Sequence, residues 1–449
     1  MSYMRNSWTD PRTGEALLGT AALVGLLVCI INCFFPQVEM ALTGGNVPLP
    51  QGFIKVACFG FLVGLVFIYR TLDLSLFPTK MWLITVGYLM VVFIWLWQGQ
   101  NKRPSEIFLA YNAYYCPLIF APLAAGLRGR VSQETAFKIF MATFATCALL
   151  GWVQYVLQEP IIRLASNDGN FRIYLSQWMV GGYRSIRANS FFAFAQEYGS
   201  FVVLIAAIGI GMCRARGGWK LGVPLYLFAA ATCYTTMTRA AFLQLFVASI
   251  AALTFTFGKR NTRVRWQPLI AFAASVFIAF SGLTSIISQK KSIYDDVSLQ
   301  QRLDQWQIAE STLSHSSAWP QLLGLGYCQA DKPVMVANKE DWNTVLLDNM
   351  YVALALHIGL IGMAVIVGFF SVMWSCLQRA TVETPTPVMI GIASYWSTFA
   401  MTGMFNIQMA QYGFWFLIAL VVSGRPTEES INSWEGQLDT QFVRSAAFV

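Results

Sequence analysis

The chain has 449 residues, of which 56% are hydrophobic and only 12% are charged. A soluble domain averages about 25% charged residues, so this composition excludes an ordinary soluble protein and indicates a fold surrounded by lipid. Basic loops facing anionic lipid explain the formal net charge of +8, and no nucleic-acid partner is expected.

Apolar stretches of about 20 residues, long enough to cross a hydrocarbon core of about 30 Å, recur along the chain. They predict an all-α polytopic membrane protein, with residues 1–424 as one integral-membrane domain and 425–449 as a cytoplasmic tail. The first stretch follows a segment of mixed charge and exceeds a signal-peptide core, so we expect a retained helix. About twelve membrane helices are predicted, at about residues 15–35, 52–69, 81–98, 106–127, 136–158, 193–213, 219–237, 239–257, 266–288, 347–374, 386–403 and 405–423.

The placement of Lys and Arg in short loops predicts the orientation of these helices. An even number of spans puts both termini on one side, and that side carries most of the short-loop basic residues, so we expect cytoplasmic termini. Two long segments, about 159–192 and 289–346, then face the exterior, where loops of this length usually carry function. The nine cysteines and two histidines form no C-x-x-C and no cluster, so no disulfide framework, metal or other cofactor is expected.

The first external segment contains arginine but no lysine: Arg163, Arg172, Arg184 and Arg187. A guanidinium group is always charged and presents a planar fork that bonds phosphate oxygens in pairs, whereas lysine is a point charge. The pattern favours a phosphate-binding role, most of all for Arg184 and Arg187. The alternative is that these side chains meet lipid headgroups.

The next spans carry two ionisable residues at their external ends. The break around Arg239 is so short that its guanidinium must lie within or just above the membrane, where an ionisable group is a functional candidate. Snorkelling to the headgroups is the alternative. Glu197, in AFAQEYGSF, starts the sixth span, and a nearby arginine is its natural partner.

The second external segment contains SLQQRLDQWQIAESTL, residues 298–313. Its apolar residues recur at helical spacing, which predicts an amphipathic helix at the membrane surface. Arg302 and Trp306 are four residues apart and share one face, although an ordinary interfacial helix with a snorkelling arginine fits as well. Gly324 and Gly326 then predict a tight turn, and this G-x-G is only weak evidence of phosphate binding.

Asp348 and Asn349 stand where the second external segment meets the apolar stretch of span ten, in LLDNMYVALALHIGLIG. Desolvating a carboxylate at that edge is costly, which makes Asp348 a candidate functional group. The alternative is that Asp348 is simply the N-cap of the helix, since Asp is favoured at that position. His357, further along the same helix, is expected to be a packed core residue.

Together these elements resemble the O-antigen ligase and O-antigen polymerase superfamily of bacterial envelope glycosyltransferases. The resemblance covers about residues 130–425. Ligases of this family carry a histidine before the Asn-x-Tyr, where this chain has Asp348, and this departure fits the polymerase-like members better. The stretches that carry it, in order, are RANSFFAFAQEYGSF, TMTRAAF, QQRLDQW followed by GLG, and DNMYVALALHIGLIG.

The resemblance implies a metal-independent glycosyltransferase in the bacterial cytoplasmic membrane, with its active site on the external face. It would polymerise oligosaccharide repeat units carried on undecaprenyl diphosphate. Its partners would be the lipid-linked glycan donor, the glycan acceptor, membrane lipids, a flippase and a chain-length regulator. The implied catalytic residues are Asp348, Arg187, Arg239 and Arg302, and the implied substrate-binding residues are Arg184, Glu197, Trp306, Asn349 and Tyr351.

Two alternative functions remain open at the level of sequence. A ligase would transfer the finished glycan from the lipid carrier to a lipid or protein acceptor. A flippase or transporter fits the composition, but it should place polar groups and broken helices near the midplane, often in repeated halves. The two halves of this chain do not resemble each other, and its unusual charges gather toward one face.

Overall fold

The structure is a computed structural model that describes nine segments of the chain and several single residues. The segments are 78–98, 133–158, 178–180, 183–185, 195–214, 218–257, 309–326, 350–383 and 386–398, and the single residues are 20, 21, 24, 64, 188, 190, 192 and 307.

The described elements are mostly helices. In chain order they are α1 (Thr79–Gln98), α2 (Gln133–Leu157), β1 (Trp178–Val180), β2 (Tyr183–Ser185), α3 (Ala195–Met212), α4 (Trp219–Thr235), α5 (Arg239–Phe257), α6 (Ala318–Leu323), α7 (Met350–Glu383) and α8 (Pro387–Ser397).

Among the described residues, three helices contain stretches long and apolar enough to cross a membrane, namely Phe137–Leu157, Ala195–Met212 and Leu354–Val382. Shorter apolar stretches occupy Thr79–Ile94 and Ala240–Phe255. These helices confirm the prediction of a helical membrane protein. Five predicted spans lie outside the described residues, apart from single positions, and the predicted count of twelve helices includes them. These spans are 15–35, 52–69, 106–127, 266–288 and 405–423.

One short hairpin departs from the all-α prediction. β1 and β2 pair antiparallel, with Trp178 opposite Ser185 and Val180 opposite Tyr183. The sequence between the strands is Gly-Gly, a pair that two-residue hairpin loops favour because both positions need positive φ angles. The segment 159–192 was predicted only as a long loop, and this local signal was missed.

Helix α3 is the central helix of the described bundle, and nearly all of its residues are buried. It packs against α4, α5 and α8. A Cβ added at Gly209 would lie 2.9 Å from the Gly222 carbonyl oxygen of α4, and one at Gly211 would lie 2.9 Å from that of Pro387. Glycine therefore lets the backbones of neighbouring membrane helices approach closely, which gives van der Waals stabilisation where no hydrophobic driving force exists.

Buried polar side chains add bonds between the same helices. The Ser200 hydroxyl of α3 donates to the Gln244 side chain of α5 at 3.0 Å. Tyr226 of α4 shares a hydrogen bond of 2.7 Å with Ser249 of α5. Each such bond between membrane helices is worth about 1 kcal/mol. They fix how the helices are rotated against each other.

Helices α3 and α5 run parallel, so both begin at one end of the bundle. Gly199 near the start of α3 contacts Ala241 near the start of α5. At the other end, Arg214 donates to the Phe255 carbonyl oxygen at 3.1 Å. Phe255 also contacts Trp374 in the second half of α7, so the first half of α7 lies toward the end where α3 and α5 begin. We call that end the motif end.

The opposite end of the bundle, which we call the basic end, carries basic residues at the termini of its helices. Helix α1 runs antiparallel to α7, with Gly368 beside Ile84 and Gly87 beside Val365, so the start of α1 meets the end of α7. The position of basic residues at this end agrees with the bias of Lys and Arg toward the short loops of one side. The basic residues at this end are Lys80, Lys138, Arg214, Lys220 and Arg379.

We predict that the motif end faces the exterior and the basic end faces the cytoplasm, because basic loops are retained on the cytoplasmic side. An exposed cysteine introduced by Ser317→Cys should react with a membrane-impermeant thiol reagent. The cells are treated so that the outer envelope barrier is permeabilised while the inner membrane stays intact. The matched control is Thr79→Cys, exposed at the basic end, which should react only after the inner membrane is permeabilised. The reverse pattern would overturn the orientation.

Candidate functional site

The segment that follows Arg187 is held by buried hydrogen bonds at the motif end. Ser190 N–H donates to the Gln154 side-chain oxygen at 2.7 Å, and the Gln154 amide donates back to the Ser190 carbonyl at 3.2 Å. The Ser190 hydroxyl donates to the Cys147 carbonyl of α2 at 2.8 Å. Both Gln154 and Ser190 are buried, where an unpaired polar group costs about 1–3 kcal/mol. The backbone at 190 is therefore fixed against α2.

A backbone hydrogen bond joins the segment after Arg187 to the turn before Arg239. Ala188, the residue after Arg187, donates its N–H to the Thr235 carbonyl at 3.0 Å. Thr235 is the last residue of α4, and it stands four residues before Arg239. Residues 188 and 235, 47 positions apart in sequence, are thereby brought together at the motif end.

The turn between α4 and α5 is built from threonines. Thr235, Thr236 and Thr238 donate their hydroxyls to the carbonyls of Thr232, Cys233 and Thr236, at 2.7, 2.7 and 2.9 Å. These bonds satisfy polar groups where the α4 ladder ends, which is why Thr is favoured there. The break lies where the sequence predicted it, and Arg239 is the first residue of α5.

Backbone strain is concentrated at this end of the bundle. The non-glycine residues with positive φ in the described part of the chain are Gln158, Ser190 and Met237. Ser190 follows Arg187 by three residues, and Met237 precedes Arg239 by two. Such conformations cost of order 1–3 kcal/mol and persist only where the surroundings enforce them, as they often do at functional sites.

Glu197 lies in the first turn of α3 and is half-buried. A carboxylate there is stabilised by the positive end of the helix dipole. A Cβ added at Gly199, two residues later, would lie 2.6 Å from the Ala241 side chain. Glu197 and Arg239 therefore stand on the first turns of adjacent parallel helices.

The remaining predicted site residues fall in two groups. Arg184 lies on β2 opposite Met179, and Tyr351 lies in the first turn of α7. Five predicted site residues lie outside the described residues: Arg187, Arg302, Trp306, Asp348 and Asn349. The structure thus places the segments beside Arg187, Glu197 and Arg239 together, and α7 extends from Trp374 toward the same end.

The described part of the second external segment is largely helical. Residues 309–314 are helical, in agreement with the end of the predicted helix 298–313. The Gln321 amide of α6 donates to the carbonyls of Leu313 and Ser316, both at 3.0 Å, and ties the turn together. His315 is exposed and His357 is buried, as expected of a surface residue and a core residue.

The G-x-G of this segment docks against α7. The N–H groups of Leu325 and Gly326 donate to the carbonyls of Leu356 and His357, at 2.8 and 3.1 Å. Gly324 N–H donates to the Pro320 carbonyl at 2.8 Å. All three amides are therefore engaged by backbone oxygens. This geometry removes phosphate binding by these amides, which the G-x-G pattern had left open.

Sequence reasoning missed Gln154, Thr235 and Gly359 as structural partners of the motifs. Gln154 carried a signal, since it is a polar residue near the end of an otherwise apolar helix, in GWVQYVL, and such residues are usually bonded to a specific partner. Thr235 contributes only its backbone carbonyl, which any residue could supply. Gly359 was one of several glycines in the stretch.

The comparison with protein-family models agrees with this arrangement. A family model described as O-antigen ligase matches residues 224–367. The matched region runs from within α4 through α5 and the 309–326 segment into α7, so it includes the Arg239 turn and the docked G-x-G. No individual curated protein matches the chain. Over residues 224–367 the chain is therefore similar to the O-antigen ligase family, and this similarity supports the resemblance that its ordered motifs indicated.

Proposed function

We propose that this protein is an integral-membrane glycosyltransferase that polymerises oligosaccharide repeat units carried on undecaprenyl diphosphate, at the external face of the bacterial cytoplasmic membrane. The observation that carries the proposal is the 3.0 Å bond from Ala188 N–H to the Thr235 carbonyl. It joins the segment after Arg187 to the turn before Arg239. Glu197 lies at the same end, and the family match covers the second of the two motifs.

The proposed reaction displaces a diphosphate from the anomeric carbon of the donor sugar. The acceptor hydroxyl oxygen forms the new glycosidic bond, its proton passes to a base, and the bond to the lipid diphosphate oxygen breaks. Negative charge then develops on the leaving diphosphate. Arg187, Arg239 and Arg302 are the proposed cations, because preorganised guanidinium groups in a site of low dielectric can stabilise that charge by several kcal/mol. No metal or cofactor takes part in this scheme.

The acceptor side is assigned to the start of α7 and the segment before it. Asp348 is the proposed base, with Asn349 and Tyr351 hydrogen-bonding the sugar. Trp306 supplies an apolar surface for a sugar ring, and Arg184 and Glu197 orient the donor. The support is positional, since α7 extends toward the motif end, where the segment after Arg187 meets the turn before Arg239.

A ligase is the second candidate, because the matching family model is described as O-antigen ligase. It would use the same donor chemistry and transfer the finished glycan to a lipid or protein acceptor. Asp348 in place of the histidine of family ligases favours polymerisation. Both reactions need the same cations and base, so the acceptor alone separates them.

The glycan phenotype of a deletion strain distinguishes these activities. We expect loss of long chains with a single repeat unit still attached to its acceptor, because polymerisation alone would be missing. Long chains that accumulate on the lipid carrier would instead identify a ligase. Repeat units trapped on the cytoplasmic side would identify a transporter and contradict both proposals.

Asp348→Asn should abolish most turnover while the protein keeps its stability. Asn caps a helix about as well as Asp, but it cannot accept the acceptor proton, and a general base is typically worth about 10²–10⁴-fold in rate. Asp348→Ala should show the same loss in rate and, in addition, a stability loss of about 0.5–2 kcal/mol from the missing cap. Turnover of purified enzyme and thermal unfolding measure the two effects. A nearly active asparagine variant beside an unstable alanine variant would reduce Asp348 to a cap.

Gln154→Leu should reduce turnover about 10²-fold, because small displacements of a positioned group can cost that much and this variant releases both backbone bonds of Ser190. Gln244→Leu is the matched control, since Gln244 is equally buried and bonds a side chain within the helix core. Both variants should lose stability by about 1–3 kcal/mol. Equal turnover in the two variants would contradict a positioning role for Gln154.

A further inference from the structure

Helix α7 is interrupted at Gly359, whose φ of 67° and ψ of −172° are not helical. In a continuous α-helix the carbonyls of Leu356 and His357 would accept from the N–H groups four residues later. Here they accept from Leu325 and Gly326 of the second external segment. The external segment therefore completes the hydrogen bonding of the interrupted helix, which membrane proteins require of any irregular backbone at depth.

Glycine is required on both sides of this contact. Gly324 has φ 82° and ψ 175°, and like Gly359 it occupies a region of backbone space that is essentially restricted to glycine. A Cβ at Gly324 would collide with the His357 carbonyl and lie 2.5 Å from Ile358 N. One at Gly359 would collide with Gly324 N and lie 2.5 Å from the Leu322 carbonyl carbon. All of these neighbours are backbone atoms, which cannot rotate away.

The interruption separates a short first part of α7, residues 350–358, from the long part, residues 360–383. Leu354, Leu356 and Ile358 of the first part are buried, so it is seated in the protein. Its direction is set by what it packs against and not by the rest of the helix. Inside a continuous helix, Ala is more favourable than Gly by about 1 kcal/mol. An uninterrupted α7 with Ala at position 359 would therefore have the higher helix propensity, so the interruption has no evident benefit for stability.

We propose that Gly324 and Gly359 form a joint that positions the first part of α7, the helix that follows Asp348 in the sequence, against residues 318–326. The two glycines are positioning residues, because they act through the first part of α7. The kinetic part of this inference rests on the proposed function, whereas the joint itself does not.

Hydrogen exchange of the protein in lipid nanodiscs tests the joint. In the unsubstituted protein the amides of Leu325 and Gly326 should exchange at least about 10²-fold more slowly than in an unstructured peptide of the same sequence, since both are bonded. Gly359→Ala and Gly324→Ala should each lose most of that protection. Gly368→Ala is the control, because its Cβ would meet only the Ile84 side chain, at 3.3 Å. Fast exchange at both amides in the unsubstituted protein would overturn the joint.

Steady-state kinetics test the positioning role. In Gly324→Ala and Gly359→Ala we expect kcat to fall about 10²-fold, while KM for the lipid-linked donor changes by less than about twofold, because the base is displaced and the arginine motifs are not. Gly368→Ala and Gly87→Ala should retain the parent kcat. A loss confined to KM, or an equal loss of kcat in the controls, would contradict positioning.

Gln321→Ala provides a second test of the positioning role if the glycine variants are not obtained as folded protein. It removes the two bonds that tie α6 to the preceding turn without adding an atom, and kcat should fall about 10-fold at unchanged KM. The parent kcat in this variant would overturn the positioning role. If the parent protein transfers no sugar at all, the proposed function fails, and the exchange pattern still decides whether the joint exists.

Discussion

The structure depends on one constraint, which is that a backbone N–H or C=O leaving a helix within a membrane must be paired inside the protein. An unpaired group there costs several kcal/mol. The described segments meet this cost with specific partners wherever the chain is irregular. Gln154 pairs both backbone groups of Ser190, Thr235 pairs Ala188, and the G-x-G amides pair the carbonyls exposed by the interruption of α7. The motif-bearing segments have defined positions because of these bonds.

Much of the helical architecture could be predicted from the sequence, because a membrane helix is specified by its local composition. The short break before Arg239 was visible as a polar interruption between two apolar stretches, and its threonines satisfy the end of α4 locally. The helical residues 309–314 were visible in the spacing of apolar side chains. In each case the signal and the structure it predicts involve the same few residues.

The pairings between distant segments could not be predicted in this way. Gln154 and Ser190 are separated by 36 residues, and nothing local in either stretch identifies the other. The G-x-G pattern predicts a turn, but the acceptors of its amides are set by the interruption of a helix more than 30 residues away. The hairpin at 178–185 is the opposite case, since its Gly-Gly signal was local and was overlooked in a segment predicted only as a long loop.

The order of synthesis gives the interruption of α7 a consequence for assembly. Residues 318–326 are made before α7, so the docking segment is already present in the chain when Leu356 and His357 are synthesised. The carbonyls of these two residues accept from Leu325 and Gly326 only once this segment and the interrupted helix meet. Those bonds need the turn at Gly324 and Gly326 to be formed, because its amides must face the backbone of α7. The final packing of the interrupted helix therefore depends on the folding of a segment that is made before it.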